Sequence, residues 1–212
     1  MKKASWILVA VLFLSWANPA FAQEDPLGRA LLLYERRDFE GALQETNRVI
    51  QKIPTYSRAY TLRGQIKKER RDFDGAMADF NKALELNPKD GLASYQRGVM
   101  RFERGDNDGA ISDYTQALSI NPRDHDCYFY RAQARERKGE LESAADDYGK
   151  VIELNPQSAE AYAGRGILRL YRKKDAEAKA DFDQCLKLNP AMKESLNRRI
   201  VYAKYQRDKK KR

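Results

Sequence analysis

The sequence predicts an all-α solenoid of five helix pairs closed by one capping helix, and two observations lead there. Pro54, Pro88, Pro122, Pro156 and Pro190 stand 34 residues apart without a slip, and a fixed period of that length marks a solenoid. Four of the five close the same phrase, Leu86-Asn87-Pro88, Ile120-Asn121-Pro122, Leu154-Asn155-Pro156 and Leu188-Asn189-Pro190. Proline ends each unit because it has no N–H to donate and its ring clashes with a continuing helix.

The chain begins with Lys2-Lys3, an apolar run from Trp6 to about Trp16, and Ala20-Phe21-Ala22. That is the layout of a secretory signal peptide, residues 1–22, with a cut after Ala22. The apolar run is well short of the ~20 residues that a spanning helix needs, so no transmembrane span is expected once the leader is removed. The mature protein is expected to be periplasmic or secreted.

Alignment on the prolines sets repeats at about 23–56, 57–90, 91–124, 125–158 and 159–192. Column 8 is small throughout: Ala30, Gly64, Gly98, Ala132 and Gly166. Column 20 reads Ala42, Ala76, Ala110, Ala144 and Ala178. Small side chains at two fixed points let two helices approach closely, and bulk there would push them apart. Phe80, Tyr114, Tyr148 and Phe182 fill column 24, and Ile50, Leu84, Leu118, Ile152 and Leu186 fill column 28, a spacing of four that places both on one helical face. Between the helical stretches lie Arg37-Asp38, Arg71-Asp72, Gly105-Asp106, Gly139-Glu140 and Lys173-Lys174. Glycine there suits a left-handed helix end, and aspartate suits the next helix start. Residues 193–206 form a further helix with Leu196, Ile200 and Ala203 set to pack on repeat 5 as a cap, and 207–212 a basic disordered tail.

These columns together resemble the tetratricopeptide repeat, over residues 23 to about 192. The resemblance implies a right-handed superhelix whose first helices line a concave groove that binds a protein or peptide partner. Carried over column by column, the groove residues are Leu62, Gln65, Tyr95, Gln96, Val99, Phe102, Phe129, Tyr130, Gln133, Ile167 and Tyr171. Two departures stand out. The family's aromatic at column 11 is here Leu33, Lys67, Arg101, Arg135 and Arg169, and repeat 1 has Pro26 and Thr46 where aromatics are commoner.

A second ladder is made of charge. Column 7 is Arg29, Arg63, Arg97, Arg131, Arg165 and Arg199, and column 23 answers with Glu45, Asp79, Asp113, Asp147 and Asp181. One column lies on each helix of the pair, so Arg63, Asp79, Arg97, Asp113, Arg131, Asp147, Arg165 and Asp181 are expected to form structural ion pairs, within a repeat or between neighbours. The competing use of the arginines, with the tail, is to bind an anionic polymer or lipid.

The net charge of +9 falls to +7 without the two leader lysines, and the tail carries +4 of that. The remaining +3 over 23–206 is no nucleic-acid-binding composition. One histidine, His125, beside Asp124, Asp126 and Cys127, is better read as part of a helix start than as a metal site. Gly105-Asp106-Asn107-Asp108-Gly109 lacks the later acidic ligands of a calcium loop. Cys127 and Cys185 fall on helices that are not nearest neighbours, so two free thiols are expected. Nothing forms a catalytic constellation or a cofactor motif. The sequence points to an exported, non-enzymatic interaction scaffold without metal or cofactor.

Overall fold

The computed structural model describes residues 25–209; the leader and the last three residues of the tail lie outside the described residues. Helices α1 (Gly28–Glu35), α2 (Phe39–Lys52), α3 (Ser57–Glu69) and α4 (Phe73–Leu86) belong to a unit that ends at Pro88. A second unit begins at Lys89. It holds α5 (Gly91–Glu103), α6 (Asn107–Ile120), α7 (His125–Lys138), α8 (Leu141–Leu154), α9 (Ala159–Tyr171), α10 (Asp175–Leu188), a 3-10 turn at Pro190–Met192 and α11 (Lys193–Lys209). No strand occurs among the described residues. Each repeat is one helix pair.

Local chemistry sets the boundaries. Asp38, Asp72 and Asp106 accept from the N–H of Gly41, Gly75 and Gly109 at 3.0, 3.0 and 2.9 Å, capping the second helices of repeats 1 to 3. Asp90, Asp124 and Ser158 cap the first helices of repeats 3 to 5 through Ala93, Cys127 and Ala161. Such caps satisfy N–H groups that the helix leaves without partners. The turn inside every repeat passes through a left-handed residue, Gly105 and Gly139 in two repeats, but Arg37, Arg71 and Lys173 in the others, with φ near +60°.

The core depends on the match of small and aromatic columns. A Cβ at Gly64 would lie 2.6 Å from the Phe80 ring, and one at Gly98 would lie 2.9 Å from Tyr114. Repeat 4 solves the packing differently: Tyr148 lies against Gly164 of the next repeat, and its phenol donates to Glu136 Oε2 at 3.1 Å. In repeat 1 the buried Thr46 replaces the aromatic and donates its hydroxyl to the Ala42 carbonyl at 2.7 Å.

Helix α11 buries Leu196 and Ala203 among Ala163, Ile167, Leu170 and Phe182, with Ile200 partly buried beside them. It runs past residue 206 to Lys209, so the first tail residues are helical rather than disordered. Arg207 is held there by Asp175, at 2.8 Å from Nη1 to Oδ1. No described helix is long and apolar enough to cross a membrane.

Candidate functional site

The arginine columns and the aspartate columns meet inside each repeat. Arg63 donates from Nε and Nη2 to the two carboxylate oxygens of Asp79, at 2.9 and 2.6 Å. Arg97 with Asp113, Arg131 with Asp147 and Arg165 with Asp181 repeat the same two-pronged geometry. All four aspartates are buried. The column-11 cations, one helical turn on, complete each site: Lys67, Arg101, Arg135 and Arg169 lie 2.8, 2.9, 2.7 and 2.7 Å from the same carboxylates. A buried carboxylate needs charge and several donors at once, which explains why the family's aromatic is missing at this column. The signal was legible, since a basic residue stands twelve positions before each aspartate. Repeat 1 is weaker: Arg29 is largely exposed, 3.4 Å from Glu45, which Arg48 also approaches at 2.8 Å.

This arrangement consumes most of the arginine row. The guanidinium groups of Arg63, Arg97, Arg131 and Arg165 each commit two of their three nitrogens to a carboxylate, which works against a continuous polyanion track along column 7. Exposed pairs between consecutive repeats, Arg70 with Glu40, Lys138 with Asp108 and Arg172 with Glu142, form a further series. These were not anticipated.

Of the predicted groove residues in the first unit, Gln65 is half-buried, whereas Leu62 is packed among Leu27, Ala30 and Ile66. In the second unit Tyr95, Gln96, Val99, Phe129, Tyr130, Gln133 and Tyr171 are half-buried. Phe102 and Ile167 are buried, at 8% and 4% exposure. Leu62, Phe102 and Ile167 are therefore core residues, because bulky apolar side chains on these turns are covered by neighbouring helices. Phe102 is also closed off by Arg137, whose guanidinium lies 3.7 Å from the ring centroid.

The half-buried aromatics join a chain of rings. Tyr130 contacts both Tyr95 and Phe129, Tyr95 and Tyr130 contact the buried Tyr114, and Phe129 contacts the buried Tyr148, with centroids 5.7 to 6.2 Å apart. Burial raises the hydroxyl pKa of Tyr95, Tyr114 and Tyr148 above the ordinary tyrosine value, so all three are neutral donors or acceptors. Beside this chain, Phe129 and Tyr130 line a cavity of about 340 Å³ with His125, Asp126, Gln157 and Glu160. Aromatic side chains next to two exposed carboxylates suit a cationic side chain with an apolar stem.

Cys127 and Cys185 are both free and buried. The Cys127 thiol contacts the Tyr114 carbonyl at 3.3 Å, and burial pushes its pKa up to about 12. Asp124 caps α7, and His125 Nδ1 lies 3.3 Å from Asp126. Among the described residues no group of three or more His, Cys, Asp or Glu side chains converges as metal ligands do.

Two family profiles, both for the tetratricopeptide repeat, match the chain, one at residues 57–90 and the other at 101–159 and 129–193. Among solved structures, YrrB, described as a TPR protein with an unusual peptide-binding site, is 21% identical with a TM-score of 0.71, covering 86% of this chain and 93% of YrrB. A crystal structure of MamA is 21% identical with a TM-score of 0.69, covering 78% and 96%. MamA 41-end from Desulfovibrio magneticus RS-1 is 18% identical with a TM-score of 0.68, covering 76% and 92%. These likenesses establish a shared fold. No curated protein sequence matches the chain significantly.

Proposed function

Because the chain belongs to the tetratricopeptide repeat family, we propose that it is an exported scaffold that binds a segment of another protein on the first-helix face of its second unit. The observation that carries this reading is the row of half-buried rings, Tyr95, Tyr130 and Phe129, ending in a cavity flanked by Asp126 and Glu160. Aromatic side chains anchor partners by burying a large area at low entropic cost. The two carboxylates select a lysine or arginine of the partner, whose stem would lie on the rings. The peptide-binding site described for YrrB, a protein of the same fold, supports the assignment of the surface to a peptide segment or helix.

Export rests on the leader-like residues 1–22 and their Ala20-Phe21-Ala22 triplet. The protein then acts in the periplasm or outside the cell, as a preformed surface rather than as a catalyst. Binding of an anionic polymer through the arginines is disfavoured by their two-pronged use on Asp79, Asp113, Asp147 and Asp181.

Capture of partners from an envelope extract by the wild type and by a Tyr95→Ala plus Phe129→Ala variant tests the surface, with circular dichroism to verify that both are folded. Partners held by the wild type and lost by the variant would support it. The same proteins in both captures would refute it.

A further inference from the structure

We infer that the outer face of α11 is a docking surface for a bilayer of anionic phospholipid. Two observations carry the inference, one of charge and one of exposure. Residues 23–192 hold twenty-nine basic and twenty-nine acidic side chains, whereas residues 193–212 hold nine basic and two acidic ones. The five repeats are therefore neutral, and the whole excess of +7 left without the leader sits on α11 and the residues that follow it.

Carboxylates within the fold do not consume this charge. Glu194 holds Arg198 at 3.1 Å, and Arg207 lies between Asp175 and Asp208. Lys193, Arg199, Lys204 and Lys209 have no ion pair among the described residues, and the sequence continues as Lys210-Lys211-Arg212. A cluster of roughly four to eight lysines and arginines on a helix with an apolar face is the composition that an anionic lipid surface attracts.

The exposure sits among these charges. Val201, Tyr202 and Tyr205 are 68%, 61% and 62% exposed, against 40–48% for the other exposed large apolar side chains. Leu196, Ile200 and Ala203 pack on repeat 5. At about 3.6 residues per turn, Val201, Tyr202 and Tyr205 fall on the opposite side of the helix with Arg198 and Lys209, while Arg199 and Lys204 fall on its two edges. A hollow of about 510 Å³ there is lined by Asn197, Arg198, Val201, Tyr202 and Tyr205, all on α11, so no other element walls it.

A protein partner is anchored by side chains that fill well-packed pockets. An unwalled row of tyrosine rings rimmed by cations matches instead the flat boundary of a bilayer. The rings rest at headgroup level, and the basic side chains reach from the rim to the phosphates. A second copy of the chain would bring the same positive charge face to face, which opposes association. The helix lies on the bilayer rather than through it, since no described helix is long and apolar enough to cross a membrane.

The test is flotation of the chain from Gln23 onward, freed of a leader whose own apolar run would enter lipid. The vesicles are of phosphatidylcholine alone, or of phosphatidylcholine mixed with phosphatidylglycerol. Trp6 and Trp16 both lie in the leader, so Tyr202→Trp places a single reporter indole on the face. Affinity for the mixed vesicles is expected to be at least about tenfold higher than for the neutral ones, with the Tyr202→Trp emission shifted to the blue on binding. Arg199→Glu plus Lys204→Glu, and Tyr202→Ser plus Tyr205→Ser, change exposed positions. Each pair should lower that affinity at least about tenfold, with circular dichroism unchanged. Tyr95→Ala plus Phe129→Ala should bind the vesicles as the wild type does, which separates this surface from the aromatic row. Equal affinity for neutral vesicles, unshifted emission, or unchanged affinity in either charge or tyrosine variant would overturn the inference. So would a blue shift that grows with protein concentration without vesicles, which would give the face to a second copy. A blue shift produced by a soluble acidic helical peptide but not by vesicles would give it to a protein and overturn the inference equally.

Discussion

Arg97 and Asp113 meet edge to edge, Nε to Oδ2 at 2.9 Å and Nη2 to Oδ1 at 2.6 Å, across the turn between two helices. Arg101 donates to the same Oδ2 at 2.9 Å, and the Asp113 side chain is 1% exposed. Removing the carboxylate leaves two part-buried cations facing each other. Asp113→Ala is therefore expected to lose about 3–5 kcal/mol, while Glu103→Ala, at an exposed position, should stay within about 0.5 kcal/mol. Urea denaturation of both variants measures the difference, and equal midpoints would contradict it.

The fit of Gly64 against the Phe80 ring gives a second expectation. Gly64→Ala forces a Cβ to within 2.6 Å of that ring, and overpacking of this kind costs about 1–3 kcal/mol. Shortening the ring in a Gly64→Ala plus Phe80→Leu double variant should cost less than the two single losses summed, because the two sites share one space. Additive losses would mean that the contact is not what holds the glycine.

Three turns hold a side chain in the left-handed region where glycine rests without strain. Arg71, with φ 63°, is exposed. Arg71→Gly is expected to raise stability by about 1 kcal/mol, and Gly105→Ala to lower it by a similar amount. Thermal melts of the two variants should shift in opposite directions.

Cys127 links pH to stability. Its folded pKa is raised from about 9 to about 12 by burial, so the neutral thiol stabilises the fold fully below pH 9. That contribution is lost as pH rises from 9 towards 12. Tyr95, Tyr114 and Tyr148 act in the same direction from pH 10 upward. The melting temperature should be level to about pH 9 and fall above it, less steeply in Cys127→Ala. A rise above pH 9 would contradict the assignment. At pH 8 a thiol reagent should modify Cys127 only as fast as the protein opens.

The repeat boundaries were legible because proline and asparagine punctuate each second helix, and the small and aromatic columns predicted the pairing of helices. The charge pairs were legible in part. Opposite signs at columns 7 and 23 pointed to the contact, and the i, i+4 spacing of columns 7 and 11 puts both cations on one face, but it is the fold that brings Lys67, Arg101, Arg135 and Arg169 to the same carboxylates. The groove was least legible. A column position states which way a residue faces but not how far the next helix covers it, and that coverage buries Leu62, Phe102 and Ile167 while leaving Tyr95 and Phe129 half open. The role of Arg207 escaped notice because its partner, Asp175, lies 32 residues away.

The most direct test of the proposed function is the affinity of peptides carrying one lysine or arginine beside an apolar residue, selected on the wild-type chain and measured by calorimetry on an Asp126→Lys plus Glu160→Lys variant. Both positions are exposed and line the cavity beside Phe129 and Tyr130, so the variant is expected to fold normally. A loss of affinity of about tenfold or more, or about 1.4 kcal/mol, is expected. Unchanged affinity in a folded variant would contradict it.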